Sequence, residues 1–323
     1  MSKPKVVVTR KWPSEVEAQL KDLYDVQFNE SDIPMTSDEL KHALQSADAL
    51  LPTVTDALTS DVLSVENKRA RIIGNFGVGY NHIDVNTAKA QGLVVTNTPH
   101  VLTDCTADIA MLLLLMSARR ASEGERLILQ KQWIGWKPTQ LIGQKVTGKT
   151  LGLIGFGRIA QAMARKAHHG FGMRIIFYSP SQPAQGIMDE LQATRYETVE
   201  EVLTEANFVS LHCPGGEATR HLINEQRLKL MRPSAHLINT ARGDVVDSKA
   251  LIKALKEGWI AGAGLDVFEG EPNIDPGFLD LDNVSLLPHL GSATEETRVA
   301  MGNRVLANLA AFFSGEEPCD RVA

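Results

Sequence analysis

Short apolar runs alternate with amphipathic helical windows along most of this chain, and few folds accept that alternation. Residues 5–9, 49–51 and 71–74 are predicted strands, with helical windows at 13–23, 37–45 and 60–66 before or between them. A second series starts at Leu151, with predicted strands at 151–154, 174–178, 208–211, 236–239, 261–267 and 284–287. A parallel strand pair needs a long crossover, usually a helix, and that helix covers one face of the sheet. The pattern therefore predicts α/β architecture with doubly wound parallel sheets, and six strands suffice for one complete sheet. At 323 residues the chain has the length of about two domains.

Between the two series, residues 102–119 read as one long helix, with Thr103 or Asp104 available to cap it. Its stretch 109–116 is apolar on nearly every side, which predicts burial all round. A segment rich in Trp, Gly and Lys follows, up to Lys149, and the chain closes on a helical window at 294–313.

Two glycine motifs compete for a phosphate-binding role. Gly143-Gln144-Lys145-Val146-Thr147-Gly148-Lys149-Thr150 matches GxxxxGK[ST]. A working P-loop follows a strand and opens a helix, because loop amides and the helix N-terminus hold the phosphates. Here no strand precedes Gly143 and a strand-like run follows Thr150, so the motif reads as a turn. Gly155-Phe156-Gly157-Arg158-Ile159-Ala160 instead follows the strand 151–154 and precedes the helical window 159–168. That is the context of a dinucleotide fingerprint. Gly155 allows the tight turn, Gly157 lets a pyrophosphate approach the backbone, and Ala160 takes the helix-packing position of the third glycine. Arg158 is placed to reach the phosphates. A Gly-rich turn with only a packing role is the bland alternative.

The next strand, 174–178, runs into Ser179-Pro180-Ser181-Gln182. An acid there would bind a ribose 2′-hydroxyl. None is present, nor any Arg or Lys from Ser179 to Gln192. Without a carboxylate to repel a 2′-phosphate, and with Ser179 and Ser181 able to donate, the turn leans toward NADP(H) or use of both cofactors.

Composition narrows the function classes. Apolar residues make up 43% and charged residues 22%, near the average of soluble globular domains, which excludes wholesale disorder. With 33 basic and 39 acidic side chains the net charge is −6, no footprint for nucleic acid. The longest apolar stretch, between Asp108 and Arg119, holds ten residues, against about 20 for a membrane span. Val6–Val8 is too short for a signal-peptide core. Cys105, Cys213 and Cys319 are scattered and form no CxxC, which fits a reducing compartment and predicts a cytoplasmic protein without metal ligation by cysteine.

Three further segments each follow a predicted strand. They are Ile238–Asp247 with Arg242, Gly264–Pro272 with Asp266 and Glu271, and Pro288–Thr294 with His289. In a parallel sheet such ends share one edge, where ligands bind, so Arg242, Glu271 and His289 can converge. Histidine exchanges protons near neutral pH, a carboxylate partner favours its charged form, and arginine presents a planar fork to a substrate carboxylate. That set suits reduction of a 2-keto acid with hydride supplied by a nicotinamide.

At this point the sequence resembles the D-isomer-specific 2-hydroxyacid dehydrogenases over almost its whole length. GFGRIA, HCPGGEATRHLIN, NTARGDVVD, LDVFEGEP and PHLGSAT appear in the family's order. GVGYNHID at 77–84 and the segment 133–138 point to the glyoxylate/hydroxypyruvate reductase branch. The resemblance implies His289 as general acid/base, Glu271 as its partner and Arg242 as substrate clamp. It implies backbone donors to the substrate carboxylate at Val78 and Gly79, and a nicotinamide carboxamide contact at Asp266. Thr106, Ile159, Cys213, Pro214, Thr240, Ala241 and Gly291 join Gly155, Gly157, Arg158 and Ser179 as expected cofactor contacts. Gly215-Gly216 departs from the bulkier residues that relatives often carry, so the resemblance does not define the shape of the adenine side.

The resemblance also implies a Rossmann-type cofactor domain, 100–290, inserted into a flavodoxin-like substrate domain, 1–99 plus 291–323. The active site is expected in a cleft that closes by hinging near Pro99 and 289–291. A homodimer is expected from the helix 102–119 and the Trp segment. Trp136 either reaches a neighbouring subunit's substrate pocket or packs at the interface. The implied activity is NAD(P)H-dependent reduction of glyoxylate and hydroxypyruvate to glycolate and D-glycerate. The alternatives are a dehydrogenase for another small D-2-hydroxy acid, and a dinucleotide-sensing, corepressor-like binding protein.

Overall fold

The computed structural model describes residues 3–323 and divides into two compact units, Met1–Leu102 with Ala293–Ala323, and Thr103–Ser292. The first unit holds five parallel strands: β1 (Lys5–Val8), β2 (Asp25–Phe28), β3 (Ala49–Leu51), β4 (Ile72–Gly74) and β5 (Val94–Thr96). Their order is β2-β1-β3-β4-β5, the flavodoxin-like arrangement. Val6 and Val8 are buried on one face of the sheet, with Leu20, Val305 and Leu309. Val7 is buried on the other with Leu44, Leu50 and Ile73. That two-sided burial is why these strands read as unbroken apolar runs rather than alternating ones.

The second unit holds seven parallel strands: β6 (Thr150–Ile154), β7 (Arg174–Tyr178), β8 (Thr194–Tyr196), β9 (Phe208–Leu211), β10 (His236–Asn239), β11 (Gly262–Leu265) and β12 (Val284–Leu286). They run β12-β11-β10-β9-β6-β7-β8, so the chain reverses direction across the sheet between β6 and β9. This is the dinucleotide-binding topology with one strand added, and the reversal is where such sheets take their ligand. Both units are thus doubly wound α/β, as expected.

Three strands were not foreseen: β2, β5 and β8 all lie at sheet edges. The helix Thr103–Ala118 differs from expectation in two ways. Thr103 and Asp104 lie inside its first turn rather than before it. Its stretch 109–116 is also not buried all round: Leu112 is 43% exposed, continuing a stripe that Asp104 and Asp108 begin at helical spacing. Another helix, Ala121–Leu129, lies in the segment given no element from sequence. The GxxxxGK[ST] segment is a turn: Thr150 opens β6, and Gly143 packs so closely that a Cβ would lie 2.3 Å from the Ala118 carbonyl oxygen.

Candidate active site

Nearly all the expected site residues follow the C-terminal ends of strands in the second sheet, and so share one edge. Gly155 ends β6 at φ +87°, a backbone conformation that suits glycine. A Cβ there would also lie 2.8 Å from the His212 carbonyl carbon and oxygen and 2.9 Å from the Cys213 nitrogen. At Gly157, which precedes the helix Arg158–Phe171, a Cβ would meet nothing within 4 Å. The helix N-terminus therefore opens onto free space, with Arg158 exposed at its first position and Ile159 half-buried. At the end of β10, the Thr240 hydroxyl is buried with no hydrogen-bond partner. A tight turn, open helix amides and an unused buried hydroxyl fit a dinucleotide lying across the edge. Burial pushes the half-buried Cys213 thiol up to about 11, so it stays protonated near neutral pH, beside the exposed Pro214.

The edge that carries Arg242, Glu271 and His289 is built by three strand ends. Asn239, the buried last residue of β10, accepts from the Ala241 amide at 3.0 Å and donates to the Arg242 carbonyl at 2.9 Å. It thereby shapes the turn that carries Arg242. Burial pulls the Arg242 pKa down, while the charges of Glu271 and Asp244 oppose the shift. After β11, Asp266 is 1% exposed and accepts from the amides of Leu290 and Gly291 at 2.6 and 2.8 Å. Its backbone carbonyl accepts from the His289 amide at 3.0 Å. Thr106 donates to the Gly291 carbonyl at 2.8 Å. The turn 289–291 is therefore held from both sides, with His289 at φ +57°, a region uncommon for residues other than glycine.

In that pose His289 Nδ1 lies 2.8 Å from Glu271 Oε2, and Glu271 Oε1 accepts from the Phe268 amide at 2.7 Å. Burial pushes Glu271 upward, but the bond to His289, that group's charge, the Phe268 amide and the Arg242 charge together leave it below the ordinary carboxylate range. An ionised carboxylate only accepts. Nδ1 of His289 therefore carries the hydrogen, and Nε2 is the nitrogen left to exchange a proton.

In the first unit, Val78 and Gly79 lie in the loop after β4. Asn75 Nδ2 donates to the carbonyls of Gly77 and Gly79, both at 3.0 Å, and Asn97 Nδ2 donates to the Val78 carbonyl at 2.8 Å. Three successive carbonyls are held by side-chain amides, which fixes the peptide planes and hence the direction of the intervening N–H groups.

Over residues 111–291 the chain matches the family described as D-isomer specific 2-hydroxyacid dehydrogenase, NAD binding domain. It is 46% identical to the glyoxylate reductase of Pyrococcus furiosus, covering 98% of this chain and 94% of that one. This chain belongs to the D-isomer-specific 2-hydroxyacid dehydrogenases. It is also 39% identical to the glycerate dehydrogenase of Hyphomicrobium methylovorum, over 98% of both chains. Among solved structures it is similar to the NADPH-dependent glyoxylate/hydroxypyruvate reductase of Sinorhizobium meliloti in complex with NADP and malonate. The TM-score is 0.85 and the identity 35%, covering 100% of this chain and 97% of that one.

Reading this 2-hydroxyacid dehydrogenase from sequence missed several supports of the site. Gly243 is one: a Cβ there would lie 1.9 Å from the Phe268 carbonyl carbon, so the turn after Arg242 and the turn before Glu271 cross in contact. Gly215 is another. Its missing side chain faces Arg242, whose Cγ would be 2.7 Å from a Cβ, so in this dehydrogenase the departure at Gly215 bears on the arginine. Asn75 and Asn97 were missed too, since nothing local marks a side-chain amide that works on a distant carbonyl.

Proposed function

We propose that this chain reduces glyoxylate and hydroxypyruvate, to glycolate and D-glycerate, with NAD(P)H. The observation that carries the reading is the His289–Glu271 pair at 2.8 Å on the edge that also bears Arg242. A bound nicotinamide supplies the hydride. His289 donates from Nε2 to the substrate oxygen as negative charge develops there, and Glu271 stabilises the imidazolium before transfer. Arg242 holds the substrate carboxylate and polarises the neighbouring carbonyl. The amides of Val78 and Gly79 are assigned as donors to a substrate carboxylate. The turn 155–159, Ser179, Cys213, Pro214, Thr240 and Ala241 are assigned to the dinucleotide, with Thr106, Asp266 and Gly291 beside the nicotinamide. Both Asp266 oxygens already accept an amide, and each keeps a lone pair for a carboxamide donor.

The reading includes a cytoplasmic homodimer. Ile128, Leu129, Ile134 and Trp136 are 62%, 74%, 81% and 81% exposed in adjoining segments, and a second copy would cover them. The cytoplasmic setting rests on three cysteines that form no disulfide, and no helix among the described residues is long and apolar enough to cross a membrane.

The test is oxidation of NADH and of NADPH, each with glyoxylate and with hydroxypyruvate. Turnover of either acid supports the reading. Bound cofactor with no turnover of either acid would refute it.

A further inference from the structure

The turn after β7 carries no acid, and the structure adds a cation to it from a distant part of the chain. Arg195 lies on β8, opposite Phe177 of β7. Its guanidinium reaches back over the strand end: Nη2 donates to the Ser179 carbonyl at 3.1 Å and Nη1 to Gln182 Oε1 at 2.9 Å. Its Nε is buried with no acceptor at all. The Ser179 and Ser181 hydroxyls lie 3.4 Å apart on the same turn. Two acids on the flanking segments are engaged elsewhere: Glu190 pairs with Arg165 and Glu205 with Arg174. The turn thus brings one positive charge together with two hydroxyls, and the partners that Arg195 shows there are a backbone carbonyl and a side-chain amide, neither of them a counter-charge.

This is the end of the second strand counted from the fingerprint, where dinucleotide-binding sheets meet the adenosine ribose. A carboxylate here accepts from a 2′-hydroxyl and repels a 2′-phosphate, whereas a guanidinium binds the phosphate and gives the hydroxyl nothing. We propose that Arg195, with the Ser179 and Ser181 hydroxyls, forms a recognition site for the 2′-phosphate of NADP(H). The proposal rests on the dinucleotide reading of the second unit. It adds the determinant of cofactor choice, on a strand beyond the turn where sequence inspection looks for it.

The test separates the two by measuring binding of 2′,5′-ADP and 5′-AMP to the full chain by calorimetry. The wild type is expected to bind 2′,5′-ADP about tenfold tighter or better, as a charge-assisted contact to phosphate implies. Arg195→Gln is expected to bind the two equally while keeping its 5′-AMP affinity, and Arg195→Lys to keep part of the preference. Ser181→Asp, at an exposed position that leaves Arg195 in place, is expected to reverse it. Equal binding of the two nucleotides by the wild type, or an undiminished preference in Arg195→Gln, overturns the proposal and leaves the dinucleotide reading standing. Failure of the wild type to bind either nucleotide overturns both.

Discussion

The two regions assigned to the substrate are built on opposite principles. On the function proposed here, the edge of the second unit works through side chains: a histidine, a glutamate and an arginine, each of a type that few other residues could replace. The loop after β4 in the first unit is proposed to work through backbone N–H groups, which nearly every residue has. Its specificity lies in what holds the carbonyls on the other side of those peptides, the amides of Asn75 and Asn97. Side-chain chemistry leaves a motif in the sequence. Backbone chemistry leaves only its supports, scattered and unremarkable.

The sharpest way to break this comparison is His289→Ala. If the second unit's edge acts through side chains, loss of the general acid should lower kcat by about 10²–10⁴-fold. Cofactor binding should persist, as read by nicotinamide fluorescence. Near-normal turnover would remove His289 from the mechanism. Gly243→Ala tests the same edge through its scaffold. The added methyl meets Phe268 backbone at 1.9 Å, so the turn leading to Glu271 must move. A displacement on the order of 1 Å costs about 10²-fold when it misaligns reacting groups. We expect a loss of that order in kcat/KM together with a lower Tm. Unchanged kinetics would show that Glu271 tolerates movement.

The units are also expected to differ in acid. His212 and His236, both in the second unit, are pushed down to about 4 by burial. His236 is 4% exposed, with Nδ1 2.7 Å from Ser117 Oγ and Nε2 buried without a partner. A histidine depressed in the folded state contributes stability above its unfolded value, near 6.5, and that contribution is lost as pH falls through about 4. For His236 the full loss is on the order of 3 kcal/mol. Amide exchange should therefore show the second unit losing protection between pH 6.5 and 4, and His236→Phe should blunt that loss. Protection that stays constant over the window would refute it.

What was legible follows from burial. Leu151, Leu153 and Ile154 are fully or almost fully buried, and the strand they form was read directly from its apolar run. β2 was not read, because at a sheet edge its residues alternate between exposed and half-buried and two of the four, Asp25 and Gln27, are polar. β8, with Thr194 exposed and Arg195 and Tyr196 half-buried, fails for the same reason. That failure hid the cation beside Ser179. The turns at Arg242, Glu271 and His289 were legible because their side chains are of types proposed here for the chemistry and lie beside strands that were found. Gly243 and Gly215 stand within those same motifs, yet their reason for being glycine is a second segment crossing them, which no linear reading displays.

Asn97→Ala is the mildest substitution and bears most directly on the backbone half of the comparison. Asn97 is 8% exposed, its amide donates to the Asp320 carbonyl at 3.2 Å, and Asp320 is itself fixed by Arg304 at 2.6 Å and Asn308 at 3.0 Å. The backbone at 97 thus stays anchored when the side chain is removed, and what is lost is the bond to the Val78 carbonyl. A neutral hydrogen bond contributes about 1 kcal/mol, so the expected change is a rise in KM for the keto acid of about fivefold. The cofactor Kd should not change, and kcat should fall less than KM rises, because the support acts on substrate placement and not on proton transfer. Asn97→Asp would separate placement from charge: it accepts where Asn97 donates and sets a negative charge under the loop, so it should raise KM further than alanine does. An equal fall in kcat with KM unmoved, in both variants, would mean that the loop after β4 acts only in the transition state. The two regions would then differ in the atoms they use and not in the step they serve.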